Sequence, residues 1–171
     1  MGAGLFSAVV AYVLREYEQV RQRRRELRGL LRLIAGEIAR NVRTLKGYEK
    51  NPQAIAQSLH TILKTRNWDE NRVRLAQLMK SGVRFDKIFT YYHVTALMED
   101  SQLWKLMSED EEESKEYVKG FCAHIALNRR AARAAYRAIE NELEEAGLNS
   151  DEIRKLEKGL PKPDTSGNND E

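Results

Sequence analysis

A single cysteine, Cys122, stands among 171 residues, which excludes an internal disulfide and any cysteine-based zinc site. Its neighbours Phe121, Ala123 and Ile125 point to a buried, inert thiol. Three prolines and ten glycines leave long stretches with nothing to interrupt a helix. No run alternates apolar and polar residues as a half-buried strand does, and no internal repeat occurs. The phosphate loop G-x-x-x-x-G-K-[ST], the dinucleotide turn G-x-G-x-x-G and the nucleophile elbow G-x-S-x-G are all missing. His60, His93 and His124 fall on three different predicted helices. With no E-x-x-H or H-E-x-x-H pair, a di-iron bundle or zinc hydrolase lacks its ligands. No catalytic residue, metal or cofactor is therefore expected, and the chain reads as a non-enzyme.

What is present is helical. Leu, Ala, Arg, Glu and Lys dominate, with 42% hydrophobic and 32% charged residues, the balance of a folded, strongly helical chain. The expected fold is an all-α bundle with one long protruding N-terminal helix. The net charge of +3 is too small to imply nucleic acid by itself, but its distribution is uneven. Cations concentrate in residues 15–46, while residues 108–116 and the extreme C-terminus are acidic.

Residues 1–14 carry no charged side chain, and Leu5, Phe6, Val9, Val10, Tyr12, Val13 and Leu14 cover every face of a helix there. An in-plane amphipathic helix shows a polar stripe, and none precedes Arg15. A cleaved signal peptide has its basic residues before the apolar run, whereas here they follow it. A full span needs roughly 20 apolar residues, more than this stretch offers. Two readings stand: a short membrane anchor, or a helix buried in a core or oligomer seam. For an anchor, the positive-inside bias places the rest of the chain on the cytoplasmic side of the inner membrane; for a seam, the protein is simply cytoplasmic.

From Phe6 to Tyr48 the residues Phe6, Val10, Val13, Tyr17, Val20, Arg24, Leu27, Leu31, Ile34, Ile38, Asn41, Leu45 and Tyr48 alternate spacings of four and three. That is a heptad seam interrupted by Arg24 and Asn41. Asn41 either sets the register between two copies or bonds a nearby backbone. Gly47 and Asn51-Pro52 end this helix and begin a short one through Ile55, Leu59, Ile62 and Leu63. Asn67-Trp68-Asp69-Glu70 breaks the pattern, and Asp69 caps a segment carrying Val73, Leu75, Leu78 and Met79. The next helix, 83–107, presents Phe85, Ile88, Phe89, Tyr92 and Ala96 on one face. Ser108 and Glu111 form a capping box for the last long helix, which stops near Gly147. The chain thus divides into an apolar N-terminal helix (1–20), a bundle (21–147), a short C-terminal helix (148–157) and a polar, disordered tail (158–171).

Arg21, Arg23, Arg24, Arg25 and Arg28 have three readings. Next to an apolar helix, such a cluster attracts anionic lipid at ~1 kcal/mol per cation. A nucleic-acid site interleaves aromatic readers with its cations, but Tyr12 and Tyr17 precede these. A solvated face, offset by Glu16, Glu18 and Glu26, is the third. Trp68 and Trp104 read as core anchors. In Tyr91-Tyr92-His93 only Tyr92 is expected on the apolar face.

Residues 27–48, with Glu37, Ile38 and Asn41 followed by Leu45, resemble the E-I-x-x-N helix that follows the anchor in small bacterial membrane proteins. Trp68-Asp69 and the helix through Phe85 and Tyr92 fit the same layout. The resemblance implies a cytoplasmic helical domain behind an N-terminal membrane helix, with no chemistry attached. Glu37 and Asn41, one turn apart, are expected to bond locally or to another helix. Together these readings point to a membrane-associated helical scaffold or protein-interaction domain. The alternatives are a soluble oligomeric regulatory protein and a nucleic-acid binder using the Arg-rich helix.

Overall fold

The computed structural model describes residues 2–50, 63–100 and 111–148. These form four helices: α1 (Gly2–Lys50), α2 (Arg66–Leu78), α3 (Gly82–Asp100) and α4 (Glu111–Glu145). No strand occurs among the described residues, so the all-α bundle expected from composition is what the chain builds. The predicted short helix from Pro52, Trp104, the Ser108 cap, the 148–157 helix beyond Leu148 and the tail 158–171 lie outside the described residues.

The seam of α1 divides at Arg24. Downstream of it, Leu27, Leu31, Ile34, Ile38, Asn41 and Leu45 are all buried, at the seam positions the spacing predicts. Leu27, Leu31, Ile34 and Ile38 join Trp68, Leu75 and Leu78 of α2, Met79 just after it, Ile88, Tyr91 and Tyr92 of α3, and Ala135, Ile139 and Leu143 of α4 in one core. A smaller cluster of Leu45, Leu63, Met98, Phe121 and Ile125 closes the far end. Side-chain contacts give the topology. The start of α2 meets Glu37 and its end meets Arg23, so α2 runs antiparallel to α1. Arg84 of α3 meets Glu142 and Glu145 of α4, while Thr95 meets Asn128, so α3 and α4 are also antiparallel.

Several boundaries and faces differ from expectation. α1 runs through Gly47 to Lys50; one glycine costs a helix only about 1 kcal/mol, and the buried Leu45 holds the turn. Asn67-Trp68-Asp69-Glu70 is the first turn of α2 rather than a break. Val73 is exposed while Leu75, Leu78 and Met79 are buried. On α3 the buried face is Ile88, Tyr91, Tyr92, Thr95 and Met98, and Phe89 and Ala96 face outward. α3 is apolar on several sides, so periodicity alone does not choose its inner face; packing against the neighbouring helices does. Tyr91 is therefore buried with Tyr92, and only His93 of that triplet is exposed. Cys122 is half-buried rather than enclosed.

α4 ends as the sequence predicts. Gly147 has φ +84°, a conformation open to glycine at little cost. Its N–H bonds the Glu144 carbonyl (2.8 Å) and the Leu148 N–H bonds the Leu143 carbonyl (3.0 Å), the paired bonds of a Schellman end.

Candidate functional site

Upstream of Glu26, α1 leaves the bundle. Every residue from Ser7 to Arg25 is exposed, an arm of ~28 Å at 1.5 Å per residue. Val9, Val10, Tyr12, Val13 and Leu14 lie on it uncovered, with Tyr12 at 65% and Val13 at 57% exposure. Leu5 and Phe6 belong to the same helix, but their side chains lie outside the described residues. Among the described residues, no helix is long and apolar enough to cross a membrane.

The clustered cations do not form one set. Arg21, Arg24 and Arg25 are exposed on the arm and, with Tyr17, Val20 and Arg28, border an open cleft of about 310 Å³. Arg23 donates to the Gln77 carbonyl at the end of α2 (2.6 Å). Arg28 is half-buried, and two of its nitrogens donate to the Ala146 carbonyl, Nε at 3.0 Å. A guanidinium on the last carbonyls of a helix satisfies orphan acceptors and complements the helix dipole. Arg28 is thus a cap for α4, a role the sequence reading missed because its partner lies 118 residues away. Next to it Arg74 pairs with Glu26 through two bonds of 2.5 and 2.6 Å, tying α2 to the point where the arm emerges. That hydrogen-bonded guanidinium holds the Glu26 carboxyl below the usual carboxylate range.

The E-I-x-x-N residues hold α2. The Glu37 carboxylate, 5% exposed, accepts from the Asn67 N–H (2.8 Å), the Trp68 N–H (3.3 Å) and the Tyr92 hydroxyl (2.7 Å). The first amides of a helix have no partner within it, and Thr65, at the cap position, makes no capping bond. Glu37 supplies the cap from a neighbouring helix. One turn on, Asn41 Nδ2 donates to the Lys64 carbonyl and Asn41 Oδ1 accepts from the Lys64 N–H, both at 2.7 Å. The bonded-backbone reading of Asn41 is the one realised. Trp68, held by this clamp, stacks on Tyr92 with ring centres 4.6 Å apart, the core anchor the sequence predicts. Burial, and then the bond to Glu37, push the Tyr92 phenol well above its ordinary pKa, so its proton stays in place as the donor.

The bonds of this clamp run from α1 to the backbone at the start of α2 and to the Tyr92 hydroxyl of α3. His93 stacks on Phe89 at the surface, His124 is half-buried and His60 lies outside the described residues. Among the described residues no three acidic, His or Cys side chains are grouped to hold a metal. Compared with protein families, curated proteins and solved structures, the chain matches none of them.

Proposed function

We propose that the protein is a non-enzymatic, membrane-associated helical scaffold, with the arm of α1 as its attachment and the bundle as its cytoplasmic body. The supporting observation is the uncovered apolar stretch Val9–Leu14, followed directly by exposed Arg15, Arg21, Arg24 and Arg25. Apolar side chains on all faces of a free helix gain by leaving water, at roughly 25 cal/mol per Å². Cations at their base gain from anionic headgroups. The reading needs only that the stretch enters the apolar layer; the snorkelling Arg15 and the ring at Arg21–Arg25 stay among the phosphates.

Self-association is the second reading, favoured by the continuity of the seam. Val10, Val13, Tyr17 and Val20 extend the register of Leu27 to Leu45 without a break in spacing and are exposed, as an unpaired coiled-coil seam is.

Fractionation of the full-length chain separates the readings. Release by detergent but not by high salt or carbonate supports membrane attachment. A salt-resistant soluble oligomer that disappears on deleting residues 1–20 supports the seam. Nucleic-acid affinity falling steeply with log salt overturns both in favour of the Arg-rich helix as a polyanion site.

A further inference from the structure

The seam of the arm and the bundle lie on the same side of α1. Val10, Val13, Tyr17 and Val20 are exposed and keep the register of Leu27, Leu31, Ile34 and Ile38, which face α2, α3 and α4 in the core. A seven-residue repeat drifts only ~20° per heptad on a straight helix, so the drift from Val13 to Leu27 leaves both stretches on one side. The bundle therefore hangs from the face that the arm shows to solvent. It begins at the level where Arg23 reaches Gln77 and Arg28 reaches Ala146.

We infer that two copies of the chain pair through their arms in antiparallel fashion, with the bundles at opposite ends. The inference rests on the self-association reading and adds its direction and register. Helices packed along such a seam lie ~8–10 Å apart. In a parallel pair each α1 would carry its own bundle into that gap from Glu26 onward, and two bundles cannot share it. Antiparallel arms avoid the overlap, because each bundle then lies beyond the tip of the other arm.

The end of the bundle also sets the register. With Val10 level with the partner's Val20, and Val13 level with the partner's Tyr17, residue 6 of each arm comes level with Arg24 and the overlap stops where the bundle starts. One heptad deeper sends residue 6 to the level of Leu31, which is fully buried. One heptad shallower leaves Val20 opposite the partner's Ala3, short of its large apolar residues. The chosen register places Arg24, the charged interruption of the arm's seam, at the outer edge of the contact, whereas a parallel pair sets it against its own copy. The flanking charges argue the other way. In a parallel pair Glu16 would meet the partner's Arg21, as flanking positions of parallel coiled coils do; in the antiparallel pair it lies beside the partner's Glu16 near the midpoint. An exposed ion pair is worth little, and two bundles in one space is a cost of a different order, so packing decides.

The test uses the full-length chain in detergent-free buffer, with Cys122→Ser as background. Sedimentation equilibrium should show a monomer–dimer equilibrium. Val10→Cys and Val20→Cys chains, oxidised separately, should not cross-link. In the antiparallel pair the two copies of either position lie ~15 Å apart along the axis, well outside the ~4–7 Å between the Cα atoms of a disulfide. Mixed, the two chains should form a covalent heterodimer. Glu16→Gln should tighten the dimer about twofold by removing a like-charge pair. Cross-linking of Val10→Cys with itself, or a weaker dimer in Glu16→Gln, shows parallel arms and overturns the inference while self-association stands. A dimer whose mixed chains do not cross-link, or a higher oligomer, overturns it as well. A chain that stays monomeric at every concentration removes the self-association reading itself, and the inference with it.

Discussion

One helix, α1, lives in two environments. Its seam keeps the same spacing from Val10 to Leu45, yet Val13 is 57% exposed and Ile38 is fully buried. The residue types on the two halves are alike, so hydrophobicity does not separate them. The difference comes from what the rest of the chain can reach. The end of α2, the turn into α3 and the end of α4 all stop at the level of residues 23–28, where Arg23 holds Gln77, Glu26 holds Arg74 and Arg28 holds Ala146. Above that level nothing remains in the described chain to cover an apolar stripe. The lesson is that a periodic apolar pattern states that a face will be covered, and says nothing of whether the cover comes from the same molecule.

The sharpest test of that contrast places the same charge on each half. Ile38→Asp buries a carboxylate without a partner and should cost about 4 kcal/mol or more, a large share of the stability of an ordinary domain. Val13→Asp should leave thermal unfolding unchanged, and under the proposed membrane attachment it should also release the protein into the soluble fraction. Equal destabilisation by both would erase the distinction between arm and bundle. Glu37→Ala leaves two helix-start amides and the Tyr92 hydroxyl without their acceptor and should cost about 2–4 kcal/mol by denaturant titration, with Glu37→Gln intermediate because it keeps one acceptor. Arg28→Ala, at the boundary, should lower stability by about 1–2 kcal/mol through the lost cap on α4, and a change of zero would show that Gly147 ends the helix unaided.

The smallest effect concerns pH. The Arg74 guanidinium holds Glu26 below the usual carboxylate range, so the folded value lies under the unfolded one. Any stability from the pair is present above the ordinary carboxylate value and fades as pH falls through the folded one. Both side chains are in contact with solvent, which screens the pair, so Glu26→Gln should lower the unfolding midpoint at neutral pH only slightly, by a difference that vanishes in acid. The matching signature is a slightly flatter acid limb in the stability–pH curve.

Much of this architecture is legible in the residues. The α1 seam, the capped end of α4 at Gly147 and the anchoring of Trp68 follow from spacing, turn chemistry and side-chain size. The inner face of α3 does not, because Phe85, Ile88, Phe89, Tyr91 and Tyr92 leave more than one apolar arc and only the positions of the neighbouring helices select among them. The roles of Arg28 and Glu37 are hidden for another reason. Their partners are backbone atoms, Ala146 carbonyl and the Asn67 and Trp68 amides, and backbone atoms leave no mark in a sequence.

Glu37 has a consequence for how the chain can be taken apart. The signal that starts α2 is written 30 residues upstream of Asn67, on a different helix. A peptide covering residues 63–80 carries neither that signal nor the length at which a helix persists alone in water. It should be largely unstructured in isolation and gain helicity when a peptide of residues 26–50 is added. Amide exchange at Asn67 and Trp68 then becomes a gauge of α1, slowing only when the neighbouring helix is formed and in place.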